Sequence, residues 1–143
     1  MQINLIHNLK DVKKDCFNIV IGGDAEINKR ILDYKNVNLL LDPEPLKEDF
    51  MHYKNSGLNQ VLVKLAKKND IGIGFSLDRI SSLNKLQRAI LFGKIMQNVV
   101  LCNKYKVKYF IVNFNSFKNE QDLISLGLSL NVKNVNVIQE DKQ

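Results

Sequence analysis

The sequence predicts an α/β fold with a parallel sheet, and three observations carry that prediction. Short apolar runs alternate with amphipathic stretches along the whole chain. The spacing between runs fits one crossover helix each, which makes neighbouring strands parallel. Two of the runs, "VNLLL" and "YFIV", are almost wholly apolar, as strands covered on both faces must be. An open doubly wound sheet and part of a (β/α) barrel share these features, and periodicity does not separate them.

Each element has a local reason. Ile3 to Ile6 and Phe17 to Ile21 are strands, the second closed by Gly22-Gly23. Asp24 is a good N-cap, with Ile27, Ile31 and Leu32 on one face of the helix that follows. Val37 to Leu41 is a strand stopped by Asp42-Pro43, and Pro43 and Pro45 lie in the long loop "DPEPLKEDFMHYKN". Ser56 is expected to cap the next helix, whose core stripe is Leu58, Val61, Leu62 and Leu65. "IGIGFSL" is a strand whose glycines point to a close neighbour. Ser82 is expected to cap a long helix to about Tyr105, with Leu83, Leu86, Ile90, Leu91, Ile95, Val99 and Cys102 as its stripe. "VKYFIVNF", a helix from Glu120 to about Leu130, and a strand from Val135 to Ile138 complete the chain.

The 143 residues fit one α/β domain, 1–143, with no internal repeat. No apolar run reaches the ~18 residues a membrane span needs, and the N-terminus lacks a signal-peptide layout. A cytoplasmic protein is therefore expected. Cys16 and Cys102 are far apart and read as isolated thiols.

Chemistry is scarce. His7 and His52 are the only histidines, too few for a dinuclear phosphoesterase centre. "IGGDAEI" lacks both the P-loop pattern and the third glycine of a dinucleotide fingerprint. No G-x-S-x-G motif is present. Asp42, Glu44, Glu48 and Asp49 are interleaved with Lys47 and read as carboxylates that solvate their loop. The chain therefore predicts no catalytic residue, no metal site and no cofactor.

The net charge of +6 favours an acidic or nucleic-acid partner. Loops that follow strand C-termini share one face of a parallel sheet. Lys47, Lys54, Arg79, Lys85 and Lys118 fall on or near that face, and Arg88 clusters with Arg79 and Lys85. These six are the candidate residues of a phosphate-binding, nucleic-acid surface, with Tyr53 and Phe117 in the same loops able to stack bases. Scattered surface lysines explain the same positions, and the residues alone leave that open.

The stretch "KNSGLNQVLVKLAKKNDIGIGFSL" resembles ribonuclease P protein component 3, the barrel-fold subunit of archaeal and eukaryal ribonuclease P. "FNIVIGGDAEINKRILDYKNVNLLLDPE" upstream, and "QRAILFGKIMQNVVLCNKYKVKYFIV" and "QDLISLGLSLNV" downstream, are similar to the same family in register. The resemblance implies a TIM-barrel-like fold related to PHP phosphoesterases without their metal ligands. The matched stretch starts near the family's third strand and stops before its C-terminal helices, so an incomplete or minimised barrel is expected. Asn55 stands where the family carries Asp.

The implied role is that of a non-catalytic subunit. It would bind ribonuclease P RNA and a component 2 protein, acting on precursor tRNA only through the RNA, away from membranes. Asn55, Ser56 and Gly57 would shape a loop at the ligand face. A divergent protein–protein module and a PHP-like metal phosphoesterase are the competing readings.

Overall fold

The structure, a computed structural model, describes residues 2–46, 55–114 and 118–140. Six strands form one sheet: β1 (Ile3–Ile6), β2 (Phe17–Ile21), β3 (Leu39–Leu41), β4 (Gly72–Ser76), β5 (Tyr109–Asn113) and β6 (Val135–Gln139). They lie side by side in chain order, and every neighbouring pair is parallel. A doubly wound sheet reverses its order at a switch point. This one does not, and its order is that of a barrel wall. The sheet curls into a half-barrel, with helices in the connections.

Among the described residues the helices are α1 (Ala25–Leu32), α2 (Gln60–Lys68), the short α3 (Leu77–Ser81), α4 (Lys85–Tyr105) and α5 (Glu120–Ser129), with a 3-10 turn at Leu9–Asp11 between β1 and β2. Strand side chains alternate between two apolar layers. Val20, Leu40, Ile73, Phe75, Tyr109 and Ile111 pack under the helices with Ile31, Leu62, Ile95 and Val99. Ile19, Leu39, Leu41, Val112 and Phe114 form a second cluster on the opposite, concave side. A strand in this sheet must be apolar at consecutive positions, which is why β3 reads Leu-Leu-Leu.

The glycines of β4 belong to the concave layer. A Cβ on Gly74 would lie 2.3 Å from the Phe110 carbonyl oxygen, and one on Gly72 would lie 2.6 Å from the Phe110 ring. Bare backbone at these two positions lets β5 approach with Phe110 seated against β4.

Two expected caps and parts of three expected stripes shift. Ser56 does not cap α2: its hydroxyl donates to the Leu58 carbonyl, and Asn59 caps the helix by accepting from the Leu62 amide at 2.9 Å. Ser82 does not cap α4: its hydroxyl donates back to Arg79, closing α3, and Asn84 caps α4. Asn84 and Gln87 exchange side-chain and backbone bonds of 2.9 and 3.1 Å, a complete capping box. The later start of α2 rotates its buried face. Val61 is 72% exposed, and Val63 and Ala66 are buried in its place. Leu86 and Ile90 likewise face outward on α4, as Ile27 does on α1. Asp24 caps α1 as expected, through the Ile27 amide.

Candidate nucleic-acid interface and the polar knot beneath it

The C-terminal ends of the strands open onto one rim. The loop after β3 begins at Asp42, which has a positive φ of 53°. Its carboxylate accepts from the Ser76 amide at 2.9 Å and the Ser76 hydroxyl at 2.7 Å, tying the end of β3 to the end of β4. The chain then turns inward. Glu44 is fully buried, and Asn98 of α4 donates to its carboxyl at 2.7 Å. The same amide donates to the Ser56 carbonyl at 2.9 Å. Lys94, one turn earlier on α4 and also buried, donates to the Pro45 carbonyl at 2.8 Å. Arg79 of α3 donates to the Glu44 carbonyl and holds its second nitrogen 3.6 Å from the carboxyl.

A second clamp comes from α1. The Asn28 side chain is buried and donates to the carbonyls of Pro43 and Gly57 at 2.9 and 2.8 Å. Gly57 sits at φ 81°, and a Cβ there would lie 2.0 Å from the Pro43 carbonyl oxygen. Asn55 accepts from the Gly57 amide at 2.9 Å, which fixes the turn. The loops on either side of residues 47–54 are thus bolted to three helices.

Burial dominates the electrostatics. It pushes the Glu44 carboxyl up to about 8, against the Asn98 hydrogen bond and with a further push from Asp42. The Arg79 guanidinium opposes this from 3.6 Å, too far for a hydrogen bond, and does not outweigh burial. Glu44 is therefore mostly protonated at neutral pH. Burial raises Asp42 as well, opposed by its two bonds from Ser76. Below the knot, burial pushes the Cys102 thiol up to about 12 and the Tyr109 hydroxyl well above its usual range. Glu44 Oε1, Arg79 Nη1, Asn98 Oδ1 and Tyr109 OH have no hydrogen-bond partner among the described residues.

The loop carboxylates read as solvating divide accordingly. Asp42 and Glu44 are buried and structural, and Glu48 and Asp49 lie outside the described residues. The rim cations divide too. Lys85 opens α4 and is exposed. Arg88 is exposed, and its Nε donates to the Leu83 carbonyl at 2.9 Å. Lys118 is exposed, its backbone bracketed by the Gln139 side chain through two 3.0 Å bonds. Arg79 turns into the fold, its side chain 17% exposed. Lys47, Lys54, Tyr53, Phe117 and His52 lie outside the described residues. His7 is exposed beyond β1, and no group of three His, Cys, Asp or Glu side chains among the described residues is placed to hold a metal ion. No described helix is long and apolar enough to cross a membrane.

Comparison with known proteins gives a consistent likeness. Over 134 residues the chain is 28% identical to ribonuclease P protein component 3 of Thermococcus kodakarensis, covering 91% of this chain and 58% of that protein. The component 3 of Thermococcus gammatolerans matches equally, and that of Methanosarcina mazei is 33% identical over 89 residues. The chain is similar to ribonuclease P protein component 3. It spans a little under three fifths of the length of the two Thermococcus proteins. The fold agrees: a chain in a cryo-EM structure of archaeal ribonuclease P with mature tRNA superposes with a TM-score of 0.69. That match is 20% identical in sequence and covers 90% of this chain and 58% of the other. No family model matches the chain.

The "N-S-G-L" stretch that carries the component 3 resemblance is the one that seats Pro43 and Glu44. The knot itself escaped the sequence reading, which took α4 only for its apolar stripe. Its signal was present: Lys94 and Asn98 are spaced i, i+4 and fall in phase with Leu91, Ile95 and Cys102. A polar pair in register with a core stripe marks a buried polar contact rather than a solvated face.

Proposed function

We propose that this chain is a non-catalytic protein subunit of ribonuclease P in the cytoplasm. It binds and positions the catalytic RNA together with a component 2 protein, so that the RNA removes 5′ leaders from precursor tRNA. The observation that carries the reading is the alignment with component 3 proteins along 91% of the chain. The fold match along 90% of it supports the same conclusion. In this reading Lys47, Lys54, Lys85, Arg88 and Lys118 meet RNA phosphates at the strand C-terminal rim. Arg79 acts by positioning, through its bonds to the loop at Glu44. Asn55, Ser56 and Gly57 shape that loop.

The test is affinity purification of the tagged chain from its native cells, with the RNA sequenced and the proteins identified. Ribonuclease P RNA and a component 2 protein in the eluate, with 5′ processing of precursor tRNA by that eluate, are expected. A chain that elutes alone, or with proteins and no RNA, overturns the proposal.

A further inference from the structure

The opposite rim, where the strands begin, is the more basic one. α2 ends there in Lys67 and Lys68, with Lys64 one turn back. α4 ends there in Lys104, with Lys106 as its left-handed C-cap at φ 58°. Lys108 leads into β5, and Lys133 precedes β6. All seven lysines are exposed. Two acids stand among them, Asp70 in the turn before β4 and Asp33 at the C-cap of α1.

The cations are arranged rather than scattered. The Lys67 ammonium donates to the Lys106 carbonyl at 3.1 Å, joining the ends of α2 and α4. Lys64 and Lys104 stand 5.5 and 5.4 Å from the centre of the Tyr105 ring. Two hollows flank the Lys106–Lys108 segment. One, of about 180 Å³, is walled by Phe17, Phe110 and Lys67. The other, of about 320 Å³, is walled by Lys133 and by Asn103, Asn134 and Asn136.

Helix C-termini attract lysines by themselves, and α1, α2, α4 and α5 all end on this side of the sheet. Each terminus carries roughly half a negative charge. The four termini together with Asp70 and Asp33 offset about four of the seven lysines, which leaves a surplus. The other rim has the reverse balance among its described residues. Asp24, Glu26, Asp78, Glu120 and Asp122 begin helices there, against Lys85, Arg88, Lys118 and the inward-turned Arg79.

We propose that the strand N-terminal rim around Lys106, Lys108 and Lys133 is a second surface for the phosphate backbone of RNA. Lysines supply the charge, while asparagine amides and half-exposed aromatic rings beside them suit ribose and base edges. An acidic protein surface would need the lysines and not these neighbours. The proposal rests on the ribonuclease P reading only for which RNA is bound in the cell.

The experiment is fluorescence anisotropy with a fluorescein-labelled RNA hairpin of arbitrary sequence, across a salt series. The full chain is compared with Lys108→Gln/Lys133→Gln, with Lys85→Gln/Arg88→Gln from the other rim, and with Lys10→Gln/Lys29→Gln as a charge-matched control. Circular dichroism and thermal melting establish that each variant is folded. The Lys108/Lys133 variant is expected to bind about tenfold more weakly, with the slope of log K against log salt reduced by roughly 1.5, while the control binds as the parent does. Parent-like affinity and slope in the Lys108/Lys133 variant overturn the inference. If the Lys85/Arg88 variant then carries the loss, the ribonuclease P reading stands without it. A parent that binds poly-glutamate and not the hairpin overturns it as well. A loss equal to the control's also overturns it, because net charge alone then explains binding.

Discussion

The Asn98 side-chain amide donates to the Glu44 carboxyl at 2.7 Å, across 54 positions of sequence. With its second bond, to the Ser56 carbonyl, it fastens both ends of the 47–54 segment to one helix. Asn98→Leu keeps comparable bulk but strands two buried acceptors. A loss of about 2–4 kcal/mol is expected, read as a lower urea midpoint with an unchanged m-value. An m-value that falls with the midpoint would instead mean that the knot holds the whole helix layer in place.

Glu44 gives stability a direction in pH. Its folded carboxyl titrates near 8 and its unfolded one near 4.5, so the folded state holds the extra proton between those values. The unfolded state then binds fewer protons, and unfolding free energy falls as pH rises through this window. Burial of Asp42 acts in the same sense. Glu44→Gln removes the larger of the two contributions. Its melting temperature relative to the parent is expected to climb from pH 5 to pH 9. A constant difference across that range would show that Glu44 is ionised in the fold.

Two glycines separate strain from space. Gly57→Ala demands a left-handed alanine against the Pro43 carbonyl and is expected to cost roughly 2–3 kcal/mol or more. Gly23→Ala meets nothing within 4 Å and has no positive φ, so a change within about 0.5 kcal/mol is expected. Chemical denaturation of the pair measures both.

The helix caps can be tested in the same way. Asn84→Ala removes the side-chain acceptor of the Gln87 amide, leaves the backbone bond from residue 84 to the Gln87 side chain, and is expected to cost about 1 kcal/mol. Ser82→Ala, at an exposed hydroxyl that only closes α3, is expected to cost less than half of that. Equal losses would return the cap to Ser82.

Strand and helix periods made the element order legible, because a strand covered on both faces has to be apolar and the crossover spacing has to hold a helix. Strand order was not legible in periodicity. A doubly wound sheet and a barrel wall bury the same pattern, and only pairing in chain order separates them. Caps were misplaced at Ser56 and Ser82 because an asparagine within three residues offered a better-placed side-chain oxygen. The expected stripe of α2 counted Leu58, which precedes the helix, and took in Val61 while leaving Val63 unnamed. The rim was assigned from cations alone. Buried carboxyls, an inward-turned arginine and a basic opposite rim depend on loop paths that local sequence does not encode.

Cys102 lies 1% exposed between α4 and the sheet, and its thiol is held in the unreactive protonated form to about pH 12. Cys16 is half-buried near the start of β2. A thiol reagent therefore meets two clocks in one molecule. The first runs on collision with an accessible sulfur. The second advances only when the long helix lifts from the strands beneath it, so its rate times that opening in an unlabelled, unaltered chain, with and without RNA on either rim.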